Sequence, residues 1–143
     1  MLECLAPVQL QVDRFLPPTP IRMVINHNGK DVTDSHPARE LSRKLEPARQ
    51  ELNRKVAQTL VPNMLEVASA AAQQLTQQLC TAAEAEMRAK LNGEEQRLRD
   101  LQRRNPNVRD IEIEHLADEA RQLSGHILKA RLRLDAIRVI WKG

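Results

Sequence analysis

Few side chains in this sequence have a spacing that could support chemistry, and the closest case is a glutamate–histidine pair. Glu112 and His115 are spaced as in the Glu-x-x-His pairs of di-iron helical bundles, where one helix turn supplies a carboxylate and an imidazole to the metal. Such a centre needs a second pair and two further glutamates on facing helices, which the sequence does not provide. We therefore expect this pair to lie on a helix surface.

Metal-binding and nucleophilic motifs do not occur in the remaining residues. The spacings C-x-x-C and H-E-x-x-H are missing among the cysteines and histidines, which are Cys4, Cys80, His27, His36, His115 and His126. Ser69 and Ser124 have no histidine and acid placed to activate them. We predict that this chain has no catalytic, metal-binding or cofactor-binding residues and is not itself an enzyme.

Composition limits the function further. The chain has 143 residues, 41% apolar and 29% charged, with a net charge of +3. Its only aromatic residues are Phe15 and Trp141, which argues against base-stacking surfaces, and four glycines cannot build a glycine-rich phosphate loop. No apolar run reaches the roughly 18 residues of a membrane helix. Two distant cysteines and no signal-peptide pattern predict a reduced, cytoplasmic location for one domain over 1–143.

The first part of the chain, residues 1–36, carries strand signals. Residues 8–12 alternate between apolar and polar side chains, which is the period of a half-buried strand. Three prolines then interrupt the pattern, and residues 21–25 form a second apolar run. Asn28 and Gly29 follow it and favour a tight hairpin turn. The sequence therefore predicts β-strands and a hairpin in this segment.

The period becomes helical beyond Pro37, and helices are predicted over 37–134. Pro62 should kink or split the first long helix, because its ring clashes with the carbonyl four residues earlier. The pattern resumes after it and continues to Arg104, where an Asn-Pro-Asn sequence stops the helix and begins a turn at 105–109. Either Asn107 or Asp110 is expected to cap the next helix.

The last predicted helix carries an unbroken heptad seam. Its apolar positions advance by alternating steps of three and four residues, through Ile113, Leu116, Ala120, Leu123, Ile127, Ala130, Leu134 and Ile137. Folding it back about the turn opposes four pairs: Leu101 with Ile113, Leu98 with Leu116, Leu91 with Leu123, and Met87 with Ile127. The same register brings Gly93 close to Gly125, where the missing side chains could allow close helix approach. The sequence thus predicts an intramolecular antiparallel helical hairpin.

A β-branched tail completes the predicted fold. Residues 135–143 contain Ile-Arg-Val-Ile-Trp at 137–141 and favour a closing strand. Its natural partners are the N-terminal strands. The predicted fold class is α+β and mostly α, with a long coiled-coil-like hairpin on a small antiparallel sheet made by the N-terminal strands and this tail.

Basic residues form two groups that could bind a partner. One group lies at the hairpin turn, where acidic residues of the opposing helix, from Asp110 to Glu119, would neutralise it and the helix dipoles would favour both charges. The other precedes Pro62 and is the better candidate to face DNA or a polymerase, although a plain solvated helix face is the favoured interpretation. The candidate surface consists of Arg39, Arg43, Lys44, Arg49, Arg54, Lys55, Arg97, Arg103 and Arg104.

Three segments resemble a known family. Residues 15–29 resemble the "RFLP-x-TP-x-R" segment of the RapA family of bacterial RNA polymerase-associated, Swi/Snf-type ATPases. Residues 105–110 resemble its "NPN-[IV]-R" turn, and residues 132–140 its closing "RLDA-[LI]-R-[LV]-I" segment. The similarity covers essentially the whole chain in the same order, and it identifies the chain as a C-terminal domain of this family.

The resemblance implies a role in transcription. The family binds core RNA polymerase and promotes its recycling, and its ATPase lobes bind ATP, magnesium and DNA. The P-loop and acidic box of those lobes are not present here, so the resemblance implies an accessory domain that packs on the motor or contacts polymerase, in a bacterial, nucleoid-associated protein. Two alternatives are a basic DNA-binding module and a self-associating coiled-coil stalk, although we expect the chain to be monomeric.

Overall fold

A computed structural model of the chain describes residues 7–44 and 54–140. These residues form four helices, α1 (Pro7–Phe15), α2 (Ala38–Lys44), α3 (Arg54–Arg104) and α4 (Asp110–Ile127). They belong to two compact units, Met1–Thr19 with Thr76–Arg131, and Pro20–Leu75 with Leu132–Gly143. None of the described helices combines the length and the apolar character that a bilayer crossing requires.

The first unit contains the hairpin of α4 with the C-terminal part of α3. Its core consists of Phe15 of α1 and six residues of the two hairpin helices: Cys80, Ala83, Met87, Leu91, Leu123 and Ile127. All of these six except Cys80 lie on the apolar stripes that the sequence predicts. Met87, Leu123 and Ile127 are almost completely buried, with exposed fractions of 0%, 1% and 0%. Leu91 belongs to the same cluster, so both predicted pairs nearest the centre of the hairpin lie in one core. The turn also falls where it was predicted, between Arg104 and Asp110.

The predicted register is less accurate towards the turn. Ile113 is buried, but its predicted partner Leu101 remains 41% exposed. Gly93 and Gly125 do not meet either, because a Cβ built on each would have no neighbour within 4 Å. The heptad pattern therefore predicts the contacts at the centre of the hairpin core correctly, but not the contacts near the turn.

The predicted N-terminal strand is wrong, because residues 7–15 form a helix. Pro7 suits the first turn of a helix, where its missing N–H costs no hydrogen bond. Val12, Phe15 and Leu16 then fall three and four residues apart, so they share one helix face, and that face packs on the core cluster. Burial of this face outweighs the strand-like alternation of the sequence.

The hairpin around Gly29 is confirmed as a local turn and not as part of a sheet. Ile25 and Asp31 form a single antiparallel bridge, the only strand pairing among the described residues. Gly29 has φ of +74°, and the Asn26 side chain accepts hydrogen bonds from the N–H groups of Asn28 and Lys30 at 3.1 and 2.9 Å. A single bridge of this kind does not make a sheet, so the predicted antiparallel sheet is not supported.

The closing strand is also not supported. The α4 helix ends at Ile127, and residues 131–140 have no regular secondary structure. The predicted seam residues Leu134 and Ile137 are 61% and 54% exposed. The tail therefore has no strand partner within the described residues, while Trp141 and the rest of 141–143 lie outside them, as do the strand signals of residues 1–6.

Pro62 neither splits nor ends the helix that contains it. The α3 helix continues from Arg54 to Arg104 with Pro62 inside it. A proline removes only one backbone hydrogen bond of the helix. The sequence after Pro62 is rich in Ala, Leu, Gln and Glu, which have high helix propensity, so the helix continues through the proline. The fold described is thus mostly helical, with one long helix and almost no strand.

Candidate interaction surface

A polar contact inside the hairpin fixes how α3 and α4 face each other. Ser124 is buried, and its Oγ donates a hydrogen bond to Glu84 Oε1 at 2.6 Å. Arg88 pairs with the same glutamate at 2.9 Å and reaches Ser124 Oγ at 3.4 Å. Hydrogen bonds from Ser124 first, and then from Arg88, lower the pKa of Glu84 below its usual value of 4.5. This cluster satisfies a buried hydroxyl and so belongs to the packing of the hairpin.

The turn end of the hairpin is closed by a second polar contact. Gln102 donates to Asp110 Oδ1 at 2.6 Å and to the Val108 carbonyl at 3.3 Å. Asp110 therefore bonds across the turn instead of capping α4, and Asn107 does not cap it either. The N-cap residue is Arg109, which makes no side-chain capping bond. Both capping predictions are therefore wrong, because Asp110 closes the turn with Gln102 and Arg109 occupies the N-cap position.

Arginines near the turn pair along their own helices, not across the hairpin. Arg99 binds Glu95 at 2.6 Å and Arg103 contacts Asp100 at 3.4 Å, both within α3. Arg121 pairs with Asp118 within α4. Among residues 7–44 and 54–140, no ion pair joins α3 to α4. The predicted neutralisation across the two helices is therefore not made by direct contacts.

Two other arginines of α3 line an open groove on its outer surface. The groove has a volume of about 430 Å³ and is lined by Gly93, Gln96, Arg97, Asp100, Leu101 and Arg104. Gly93 follows the buried Leu91 by two residues, which places it about 200° around the helix, away from the side that packs on α4. Arg97 and Arg104 have no ion pair among the described residues. We call these six residues the α3 groove.

The residues predicted as an interaction surface are only partly brought together. Arg97 and Arg104 share the α3 groove, whereas Arg103 points its guanidinium at Asp100. Arg39 and Arg43 are exposed on α2, and Arg54 is exposed at the start of α3. Lys44 and Lys55 lie on helices, but their side chains, like the whole of Arg49, are outside the described part of the chain. Whether any of these residues binds a partner stays a prediction.

The sequence did not indicate that Gly93, Gln96 and Leu101 contribute to this groove. The signal that could have identified Gly93 is a glycine in the interior of a long helix, which weakens the helix and calls for a reason. Leu101 was assigned to the hairpin seam, and its exposure shows that the seam ends before it.

Side chains that could ligate a metal are dispersed over the described part of the chain. In the described ranges, no three His, Cys, Asp or Glu side chains converge to hold a metal ion. His115 lies exposed on α4 and Cys80 is a free, buried cysteine. The described residues form a mostly helical domain, and the α3 groove lies on the surface of its longest helix.

Comparison with known proteins assigns this helical domain to a family. The chain belongs to the family described as "RNA polymerase recycling family C-terminal", which matches residues 1–142. It is 35% identical over 143 residues to the RNA polymerase-associated protein RapA of Yersinia enterocolitica, with 98% of this chain covered. It is 32% identical over 142 residues to the protein of the same name from Vibrio campbellii, with 97% covered. The chain spans 15% of the length of these relatives.

Proposed function

We propose that this chain is a non-catalytic accessory domain that helps a longer, ATP-driven transcription factor to associate with core RNA polymerase and to promote its recycling. The observation that carries the proposal is the family match over residues 1–142, together with relatives that are named for their association with RNA polymerase. These relatives extend far beyond the matched part, so we place ATP, magnesium and DNA binding in the remainder of such a protein.

The geometry supports a packing role over catalysis. The centre of the hairpin seam is buried inside one chain, as the exposed fractions of Met87, Leu123 and Ile127 indicate. A second copy would find no free heptad seam at this centre, which disfavours a self-associating stalk. The surfaces left open include helix faces, and such faces suit contacts with another macromolecule.

Deletion in the full-length protein tests this function. We would compare the intact protein with a version lacking the segment that corresponds to residues 1–142. Three quantities would be measured: the affinity for purified core RNA polymerase, ATP hydrolysis, and RNA yield over many rounds of transcription. We expect the deletion to weaken polymerase binding and lower multi-round yield while basal ATP hydrolysis persists.

The opposite results are equally clear. If the deletion changed neither polymerase affinity nor multi-round yield, the accessory role would be wrong. Loss of basal ATP hydrolysis in a folded deletion protein would also contradict a non-catalytic role. Binding of duplex DNA by the intact protein that disappears with the deletion, while polymerase affinity is kept, would favour the DNA-binding alternative.

A further inference from the structure

Gly93 is not required for the packing of the described residues. Glycine is among the least favourable residues in the interior of a helix, and Gly93 lies well inside α3. A Cβ built there would have nothing within 4 Å, so no neighbouring element of the described structure requires its small size. Because Gly93 lies at one end of the α3 groove, its small size fits the close approach of another molecule.

The α3 groove has the layout of a helix-docking face. Its residues recur at spacings of three and four along α3, so they form one stripe on one side of the helix. Arg97 and Arg104 are seven residues apart, about 10 Å along the axis, and Leu101 lies between them with 41% of its surface exposed. The stripe thus combines an open position at Gly93, one exposed apolar side chain, that of Leu101, and the two cationic side chains.

The two cations of the stripe are available to a partner. The neighbouring arginines, Arg99 and Arg103, are bound to carboxylates of α3 itself. The side chains of Arg97 and Arg104 make no hydrogen bond or ion pair with any described residue. Arginine is also the cation that is enriched at protein interfaces, because its planar group binds carboxylates through two hydrogen bonds.

We propose that the α3 groove docks an acidic, amphipathic helix of core RNA polymerase, with the partner's backbone approaching over Gly93 and its carboxylates pairing with Arg97 and Arg104. This inference rests on the proposed function and specifies its contact surface. Leu101 would meet an apolar side chain of the same partner helix. Close approach at a small residue and charge pairs on both sides are the usual elements of helix-on-helix recognition.

Two features of the groove favour this occupant. The lining has an exposed apolar residue, Leu101, and no aromatic ring on which a base could stack, so a protein partner fits better than nucleic acid. The lining combines four residues that carry polar groups with Leu101 as its one large apolar residue. A mixed, arginine-containing surface is typical of complexes that form and dissociate, which suits an associated factor better than a permanently buried contact.

The experiment blocks the groove without disturbing the helix. In the full-length protein, Gly93→Leu would place a side chain in the open groove and also improve helix propensity. The matched control is Gly125→Leu, a second helical glycine whose Cβ would likewise meet nothing within 4 Å. A charge variant, Arg97→Glu with Arg104→Glu, is compared with Arg131→Glu plus Arg133→Glu, which makes the same change in net charge at exposed residues after α4.

Affinity for purified core RNA polymerase is measured at low and at raised salt, and folding is checked by thermal unfolding. We expect Gly93→Leu and the groove charge variant each to weaken binding about tenfold or more, as loss of a central contact does, while both controls bind like the parent. Salt should weaken the parent more than the groove charge variant, because ion pairs are screened.

Any other pattern overturns the groove assignment. Unchanged affinity in a folded Gly93→Leu protein would show that polymerase does not dock there. If the deletion of residues 1–142 weakens binding but both groove variants bind normally, the accessory role stands and the groove proposal fails. Groove variants that lose affinity for a DNA duplex and keep that for polymerase would assign the surface to nucleic acid instead.

Discussion

Ser124 on α4 and Glu84 on α3 share a 2.6 Å hydrogen bond inside the helical hairpin. The hydroxyl is buried beside the apolar core, and Arg88 binds the same carboxylate oxygen, Glu84 Oε1, at 2.9 Å. A slip of α4 along α3 would leave this hydroxyl buried without a partner, which costs free energy. The contact therefore selects one register from those that a repeating apolar seam would allow.

The first prediction concerns the titration of Glu84. Its pKa is lowered mainly by the Ser124 hydrogen bond and then by Arg88. Replacing Ser124 with Ala should therefore raise the pKa of Glu84 towards its usual 4.5. The pKa of Glu86 is lowered by Lys90 and not by Ser124, so it should not move and provides an internal control. Carboxyl chemical shifts followed by NMR against pH measure both groups.

The same contact makes stability depend on acid. A carboxylate with a lowered pKa in the folded state stabilises the fold fully above its unfolded pKa, and loses this contribution as pH falls through the folded value. For Glu84 the loss begins below about pH 4.5. Ser124→Ala should thus lower the unfolding temperature at neutral pH and flatten its fall below pH 4.5. An acid dependence identical to the parent would contradict the role of this bond.

A second prediction concerns Met87, whose side chain is completely buried in the hairpin core. Met87→Ala should lower the free energy of unfolding by about 2–5 kcal/mol, since it removes apolar burial and leaves a cavity. Leu75→Ala on the same helix is a matched control, because Leu75 is 39% exposed. We expect the control to cost under about 1 kcal/mol. Chemical denaturation of the parent and both variants compares the two sites, and equal losses would contradict the assigned core.

Two glycines should respond to alanine with opposite signs, which is the third prediction. Gly29 has φ of +74°, where an L-residue is strained, while its Cβ would only touch Val67 Cγ2 at an ordinary 3.8 Å. Gly29→Ala should therefore destabilise the fold by about 1 kcal/mol. Gly93→Ala should stabilise it by up to about 1 kcal/mol, because the site is helical and open. Thermal unfolding measures both, and a loss of stability in Gly93→Ala would mean that the groove is filled within the chain.

The hairpin could be predicted from sequence because its signal repeats along the chain. Met87 and Leu91 on one helix and Leu123 and Ile127 on the other all lie on heptad positions, and all are buried in one cluster. The repeat did not show where the seam stops. Leu134 continues the heptad perfectly but lies seven residues beyond the end of α4. Periodicity gives a favoured face, and only packing partners decide how far the helix extends.

The N-terminal segment was mispredicted because its pattern fits two structures. The alternation through Val12 fits a strand, and the spacing of Val12, Phe15 and Leu16 fits a helix. A neighbouring apolar face decides between them, and the core of the hairpin provides that face. Local propensity carries no information on a partner that lies far away in the sequence.

Only part of the candidate surface could be predicted from the sequence. The sequence locates Arg97, Arg103 and Arg104 near one turn, but it does not show that Asp100 pairs with Arg103 and leaves the other two unpaired. Choices between neighbouring acids depend on side-chain geometry, so the free cations emerge only from the structure.

The last prediction concerns the attachment of α1 through Phe15. Its ring is 8% exposed within the core cluster, and the Nζ atom of Lys90 lies 5.5 Å from the ring centroid. Phe15→Ala removes the largest α1 contact with the hairpin core, so α1 should lose its protection from amide hydrogen exchange, while the amides of α4 around Leu123 stay protected. Lys90→Gln is the matched control, because it removes one of the two cations over the ring, a contribution of about 0.5–1 kcal/mol, and the exposed Lys90–Glu86 ion pair, but keeps the apolar contacts of Phe15, and should leave α1 docked. If Phe15→Ala instead lowered protection equally in α1 and α4, the helix would be an integral part of the core and not a separately attached element.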